Sequence, residues 1–106
     1  MDPVVFGKYP DEMTSEVIDG RLPKFTEEEA SMLKGSVDFI GFNQYTSTYI
    51  FNTNSTGEDW SSDSHTETYP FNATGHRIGP KADSPWLNVY PEGIRGAINW
   101  VNNRYN

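Results

Sequence analysis

The stretch that most constrains the fold runs from Val37 to Thr48, VDFIGFNQYTST. Its first half is rich in β-branched and aromatic residues, which is typical of a buried central strand. Gly41 interrupts the run and indicates that another group packs close to the backbone there. No other stretch of the 106 residues is as convincing a strand, yet a central strand needs hydrogen-bonding neighbours on both sides. We therefore predict that the chain holds only a piece of a larger α/β protein.

The polar end of this strand is the first candidate site. Because side chains alternate along a strand, Asn43 and Tyr45 share one face and Gln44 takes the other. Ligands of parallel α/β sheets bind at the carboxyl ends of the strands. An amide and a phenol at such an end suit a polyhydroxylated ligand or a carboxylate. On chemistry alone, a strand that simply runs into a polar turn is the alternative.

Two helices are predicted before the strand, and residues 1–8 are predicted to be irregular. The first helix opens at Tyr9-Pro10 and ends at Gly20, because proline favours a first turn and glycine favours the residue after a helix. The second carries a capping box between Thr26 and Glu29 and stops at Gly35. Three consecutive glutamates lie in its first turn, where the positive end of the helix dipole stabilises negative charge. We therefore interpret them as structural and assign them no metal or acid chemistry.

A long polar loop, residues 52–83, is predicted after the strand, and residues 49–51 either extend that strand or begin a second one. A loop of this length in a compact domain is usually functional or disordered. Asn54 and Asn72 begin N-x-Ser/Thr sequons, so both are candidate glycosylation sites in a secreted protein. The histidines lack a ligand set at metal spacing, and we predict no metal site and two solvated side chains, His65 and His76.

The last segment predicts an amphipathic helix. Pro91 and Glu92 mark its start. Apolar side chains recur at helical spacing along one face: Ile94, Ala97, Ile98, Val101 and Tyr105. A strand, a loop and a helix make up a βα unit, and such units come in series. This order again predicts a larger α/β protein.

The charge and composition exclude several classes of partner. The net charge is −7 and no Lys/Arg cluster is present, so neither a nucleic acid nor an anionic membrane is an expected partner. The sequence has no cysteine, and neither a membrane span nor a secretion signal is recognisable. The compartment therefore stays open. From the two sequons we expect a secreted or lysosome-like location.

Three ordered blocks resemble one enzyme family. They are residues 2–13, DPVVFGKYPDEM; residues 21–47, RLPKFTEEEASMLKGSVDFIGFNQYTS; and residues 78–106, IGPKADSPWLNVYPEGIRGAINWVNNRYN. Together they cover most of the chain and resemble segments of glycoside hydrolase family 1. That family contains the β-glucosidases together with lactase, myrosinase and the klotho proteins.

The resemblance implies a (β/α)8 barrel, in which residues 1–106 form one incomplete domain without a second. The chain would supply strand six, its flanking helices and a long loop. The family's general acid lies on a T-(F/L)-N-E-P motif and its nucleophile on an (I/V)-T-E-N-G motif, and neither motif occurs in the sequence. The chain is therefore expected to start after the first motif and end before the second. A complete barrel takes about 250 residues, so the isolated chain should be inactive and require the remainder of the barrel.

Three positions inherit roles from the resemblance. Tyr45 matches a tyrosine whose hydroxyl contacts the nucleophilic carboxylate, and Asn43 matches an asparagine that lines the sugar site. Trp86 matches an aromatic position that flanks the aglycone in several members. Gln44 departs from the commoner tyrosine but is expected to face away from the site. No cofactor is implied.

The activity implied for the parent protein is retaining hydrolysis of O-glycosidic bonds in β-glycosides. Two carboxyl groups about 5–5.5 Å apart would act as nucleophile and acid/base through a covalent glycosyl-enzyme. One alternative is a non-catalytic, klotho-like binding or co-receptor barrel. The other is a self-standing sugar-binding piece, against which the single strand and the lack of a closed core argue.

Overall fold

Two compact units make up the described part of the chain. The computed structural model describes residues 1–57 and 59–106, and the units comprise residues 1–41 and 42–106. The first unit contains three short helices: α1 (Asp2–Phe6), α2 (Asp11–Glu16) and α3 (Glu27–Leu33). The second unit contains two strands and two helices: β1 (Tyr49–Asn52), α4 (Trp60–Asp63), β2 (Thr66–Tyr69) and α5 (Glu92–Tyr105).

The capping box predicted for α3 is confirmed. The Thr26 hydroxyl accepts from the Glu29 amide at 3.2 Å, and the Thr26 amide donates to the Glu29 carboxylate at 2.9 Å. These bonds satisfy main-chain donors that a helix start leaves without partners. The helix packs against α1, and the Gly35 amide donates to the Val4 carbonyl at 2.8 Å.

The prediction that residues 1–8 are irregular was wrong, because α1 forms there. Pro3 lies in its first turn and Gly7 ends it with a left-handed φ of 72°. This is the same proline-first, glycine-last signal that predicted the later helices. An added Cβ at Gly7 would lie 3.0 Å from the Ala30 carbonyl oxygen, so glycine also permits the close approach of α1 to α3.

The helix predicted from Tyr9 to Gly20 is shorter than expected, since α2 ends at Glu16. The β-branched pair Val17-Ile18 has low helix propensity. The next two residues, Asp19 and Gly20, both adopt positive φ angles, 60° and 70°. A turn therefore replaces the last predicted helical turn.

The predicted strand over residues 37–45 is not hydrogen-bonded into a sheet within the described residues. Its apolar side chains are exposed, and Phe39 is 84% exposed. A strand of central composition pairs only when neighbours are present, and no described strand pairs with this one. The alternative that residues 49–51 begin a second piece is confirmed, because they belong to β1.

The loop predicted over residues 52–83 contains regular structure, which corrects the prediction. β1 and β2 pair antiparallel, with Tyr49 opposite Tyr69 and Asn52 opposite Thr66. The Phe51 and Tyr69 rings meet edge to face with centroids 5.7 Å apart. Between the strands, the Asp59 carboxylate caps α4 by accepting from two serine amides. Four-residue elements are too short for a periodic sequence signal.

The amphipathic helix predicted at the end of the chain is confirmed as α5. Its apolar face is open: Ile94 is 40% exposed and Ile98 is 49% exposed. Among the described residues, no apolar side chain is buried, and the buried polar residues are Asp2 and Asn88. The described residues of the second unit therefore present apolar surface without a core of their own.

The described helices include none with the length and apolarity that crossing a bilayer requires.

Candidate functional site

A cleft of about 300 Å³ lies in the second unit beside the polar end of the predicted strand. Residues 44–46 form one wall, and the loop before α5 together with the start of that helix forms the other. The side chains that line it include Gln44, Tyr45, Thr46, Leu87, Tyr90 and Ile94. The cleft therefore sits where the polar end of the predicted strand meets the βα connection.

Tyr45 and Trp86 are brought together, although they are far apart in sequence. Their ring centroids lie 6.4 Å apart at an interplanar angle of 65°, an edge-to-face contact. Both rings stay open to solvent, with Tyr45 74% exposed and Trp86 60% exposed. Two of the three residues predicted for the site thus form one exposed aromatic pair.

Trp86 sits at the tip of a tight turn. The Leu87 amide donates to the Ser84 carbonyl at 3.2 Å, which places Pro85 and Trp86 at the two central positions of a β-turn. Below the turn the chain forms a small hairpin, in which the Ala82 amide donates to the Leu87 carbonyl at 3.1 Å. A hydrogen-bonded turn therefore displays the indole.

Asn43 and Gln44 lie differently from their predicted places. Asn43 is exposed and is not among the described residues that line the cleft. Gln44 was predicted to face away from Tyr45, but both line the cleft, because an unpaired segment need not keep the alternation of a strand. The Gln44 amide nitrogen donates to the Ser47 hydroxyl at 3.0 Å.

Helix α5 begins close against this segment. A Cβ added to Gly93 would collide with the Ser47 hydroxyl and the Gln44 side-chain nitrogen. Glycine at the first turn of α5 therefore lets the helix approach the wall of the cleft.

Asn88 is the residue of this region that sequence reasoning missed. It is 5% exposed, and its main-chain amide donates to the Thr46 hydroxyl at 2.8 Å. Its side-chain oxygen accepts from the Arg77 guanidinium at 2.6 Å. No local pattern marks an asparagine in a polar loop as buried, since its partners come from distant parts of the chain.

The sequon asparagines and the histidines lie away from the cleft. Asn54 is exposed, as a glycosylation site requires, whereas Asn72 is partly buried. The Asn72 side-chain oxygen accepts from the Thr74 hydroxyl at 2.9 Å and from the His76 amide at 2.8 Å. Nowhere in residues 1–57 and 59–106 do three or more His, Cys, Asp or Glu side chains gather as a metal site would require.

Two titratable groups with shifted pKa values belong to the β1–β2 hairpin region. The hydrogen bond from the Ser61 hydroxyl is the largest cause that lowers the pKa of Asp59 to about 2, and bonds from Ser62 add to it. The hydrogen bond from Tyr69 to the Glu67 carboxylate raises the pKa of Tyr69. These shifts follow from local hydrogen bonding of exposed groups.

Comparison with known proteins decides the family. The sequence profile described as "Glycosyl hydrolase family 1" matches residues 1–106. The chain belongs to glycosyl hydrolase family 1. The resemblance carried by the three sequence blocks is therefore confirmed.

Plant β-glucosidases are among the relatives of this family member. The chain is 47% identical over 108 residues to beta-glucosidase 16 of Arabidopsis thaliana, a match that covers 100% of the chain and 21% of the relative. It is 43% identical over 111 residues to raucaffricine-O-beta-D-glucosidase of Rauvolfia serpentina, covering 100% of the chain and 20% of that enzyme. The chain thus spans about a fifth of the length of these relatives.

Solved structures of the family superpose on the chain. A rice beta-glucosidase in a covalent complex with Glc matches with a TM-score of 0.90 at 40% identity, over 99% of this chain and 23% of that one. A family 1 β-glucosidase of the fungus Humicola insolens in complex with glucose gives a TM-score of 0.84 at 44% identity, over 98% and 22%. These neighbours are (β/α)8 barrels, so the short helices and the unpaired segment match part of a barrel.

Proposed function

We propose that the chain is part of a retaining β-glycosidase of the β-glucosidase type, to which it contributes strand six, the flanking helices and the loop after the strand. The observation that carries this proposal is the superposition on β-glucosidase barrels across nearly the whole chain. Residues 37–45 have the composition of a central strand and no described pairing partner. The remainder of a barrel would supply those partners.

The proposed substrate is a β-glycoside. One structural neighbour holds glucose and another holds Glc covalently, and a covalent sugar is the intermediate of a retaining mechanism. The two carboxyl groups of that mechanism would come from outside the 106 residues, since the sequence has neither an N-E-P nor an E-N-G motif. The chain would therefore shape the site and position the reacting groups.

Tyr45 is proposed to hold the nucleophile. Its exposed phenol is free to donate a hydrogen bond to a carboxylate beyond this chain. Such a charge-assisted bond keeps a carboxylate ionised and fixes its direction. Asn43, also exposed, is proposed to bind hydroxyls of the sugar at the same end of the strand.

Trp86 is proposed to bind the aglycone. An indole displayed at a turn tip and 60% exposed offers an apolar face for an aryl or alkyl group. Its contact with Tyr45 puts this face next to the residue proposed to hold the nucleophile. A substrate would then lie with its sugar near Tyr45 and its aglycone near Trp86.

We propose that the protein is secreted or resides in a lysosome-like compartment. The exposed sequon residue Asn54 supports this, because N-glycosylation occurs on proteins that enter the secretory route. Mass measurement of the natively produced protein before and after glycosidase treatment tests this point. A protein without glycan at Asn54 and Asn72 would contradict it.

The coding sequence on either side of Met1 and Asn106 provides the first test of the function. We expect an N-E-P motif upstream and an E-N-G motif downstream, and we expect the complete protein to release the sugar of an aryl β-glucoside with retained anomeric configuration. A complete barrel lacking either glutamate would instead favour the klotho-like, non-catalytic alternative. The Arabidopsis and Rauvolfia relatives are both β-glucosidases, which supports the catalytic proposal.

A further inference from the structure

The buried residue Asn88 connects three separate segments of the second unit. Its main-chain amide donates to the Thr46 hydroxyl at 2.8 Å, and that hydroxyl donates to the Asn88 carbonyl at 3.2 Å. Its side-chain nitrogen donates to the Ser47 carbonyl at 3.3 Å, and its side-chain oxygen accepts from Arg77 at 2.6 Å. A buried amide is costly without partners, and these bonds supply them.

The partners fix the orientation of the Asn88 amide. A guanidinium can only donate and a main-chain carbonyl can only accept. Exchanging the amide oxygen and nitrogen of Asn88 would therefore break the bonds to both Arg77 and Ser47. The side chain has one orientation that satisfies its surroundings.

Arg77 is itself held at several points. Its Nε donates to the Gly79 carbonyl at 3.1 Å, and its guanidinium lies 5.1 Å from the centroid of the Phe71 ring. A cation over an aromatic face is stabilised by the ring quadrupole. The donor that reaches Asn88 is thus preorganised by contacts of its own.

The loop that carries Trp86 is anchored at Asn88. The indole is two residues before Asn88, and the Val89 amide donates to the Pro80 carbonyl at 2.8 Å. A Cβ at Gly79 would collide with the Val89 carbonyl oxygen, so the two arms of the hairpin lie in close contact. On the other side, Thr46 directly follows Tyr45. The Thr46–Asn88 bonds therefore join the bases of the two segments that present the aromatic pair.

We propose that Asn88, held by Arg77, is a positioning residue that sets the placement of Trp86 relative to Tyr45 and so determines selectivity for the aglycone. This inference rests on the proposed function of the parent protein. Asn88 borders the cleft but is 5% exposed, and Arg77 is not among the described residues that line it. They act through the turn at residues 84–87 and through the segment after Tyr45.

The test compares two ligands in the complete parent protein. One is a non-hydrolysable aryl β-thioglucoside, which engages both the sugar site and the aglycone side, and the other is glucose, which engages only the sugar site. Asn88→Leu keeps the branched shape and the number of heavy atoms of the side chain and removes both side-chain bonds. We expect the Kd of the thioglucoside to rise roughly tenfold and that of glucose to change by less than about twofold. Thr68→Val on β2 is the matched control.

Arg77 variants keep the test decisive if Asn88→Leu does not fold. Arg77→Met should reproduce the selective loss of thioglucoside affinity. Arg77→Lys keeps the charge and one donor nitrogen but cannot reach both Asn88 and Gly79 with a planar fork, so we expect an intermediate loss.

A double-mutant cycle tests whether Asn88 acts through Trp86. In a Trp86→Ala background, Asn88→Leu should have little further effect on thioglucoside binding, because residues that act through one another are not additive. Additive losses, equal losses for glucose and thioglucoside, or unchanged affinities in every variant would each overturn the proposal. If the wild-type protein binds these ligands but hydrolyses no β-glycoside, the proposed function fails while the binding ratio still decides the positioning role.

Discussion

The Thr46 hydroxyl and the main chain of Asn88 hydrogen-bond in both directions, at 2.8 Å and 3.2 Å. The two residues are 42 positions apart in sequence, so this reciprocal contact closes a large loop of chain. It brings the segment after Tyr45 against the base of the turn that displays Trp86. The candidate site is therefore joined by tertiary contacts of polar residues that carry no catalytic signature.

Trp86→Ala in the complete protein should weaken binding of aryl and alkyl aglycones more than binding of the sugar. The physical reason is the loss of an exposed indole face, whose contact with an aglycone ring is worth about 1–2 kcal/mol. KM for aryl β-glucosides should rise several-fold, while inhibition by glucose stays within about twofold. Trp60→Ala is the matched control, since Trp60 lies on α4 and is 85% exposed. An equal loss for the monosaccharide would make Trp86 structural.

Local signals were sufficient to predict α3 and α5. Thr26 and Glu29 are three residues apart and cap the same helix, and the apolar spacing from Ile94 onward is a property of α5 alone. The same kind of signal is present for α1 in Pro3 and Gly7, although the prediction missed that helix. In the candidate site, the polar end at Tyr45 was predicted from its position at the end of a strand pattern, whereas Trp86 was found only through the family resemblance.

Tertiary relationships could not be predicted. The burial of Asn88 depends on Thr46 and Arg77, and nothing in the residues around Asn88 reveals these partners. The hairpin of β1 and β2 depends on pairing across α4, and four-residue strands have too little periodicity to stand out. The strand predicted over residues 37–45 has the composition of a strand, but its pairing partners are not among the described residues. It is therefore not hydrogen-bonded into a sheet there.

Asp59 should remain ionised at a pH where an ordinary aspartate is half protonated. Its pKa is lowered from 3.8 to about 2 by the Ser61 hydroxyl bond first and by Ser62 next. A pKa depressed by folding adds stability above the unfolded value, and that stability is lost as pH falls from about 4 to about 2. Carboxyl ¹³C NMR between pH 7 and 3 should show little protonation of Asp59. Ser61→Ala should move the pKa upward, and an unchanged titration in that variant would show that the Ser61 hydroxyl is not the cause.

The isolated 106-residue chain should hydrolyse no aryl β-glucoside and should unfold without a sharp transition. It contains neither family glutamate motif, and no apolar side chain of the described residues is buried. Without a core, little surface is newly exposed on unfolding, so the dependence on urea should be shallow. Circular dichroism during urea titration and a chromogenic β-glucoside assay measure these properties. A steep, cooperative transition or clear turnover would contradict the proposed need for the rest of a barrel.

Tyr45→Phe in the complete protein tests the central claim most directly. Removing a charge-assisted hydrogen bond to the nucleophile costs about 1.5–3 kcal/mol, so kcat should fall roughly ten- to hundredfold. The pKa of the nucleophile should rise, because the bond favours its charged form, and the acidic limb of the pH–rate profile should move to higher pH. Tyr69→Phe is the control, because it deletes a phenol hydroxyl on β2, and it should change neither kcat nor the acidic limb. An unchanged kcat with an unmoved acidic limb in Tyr45→Phe would contradict the assignment of Tyr45 to the site of a retaining β-glycosidase.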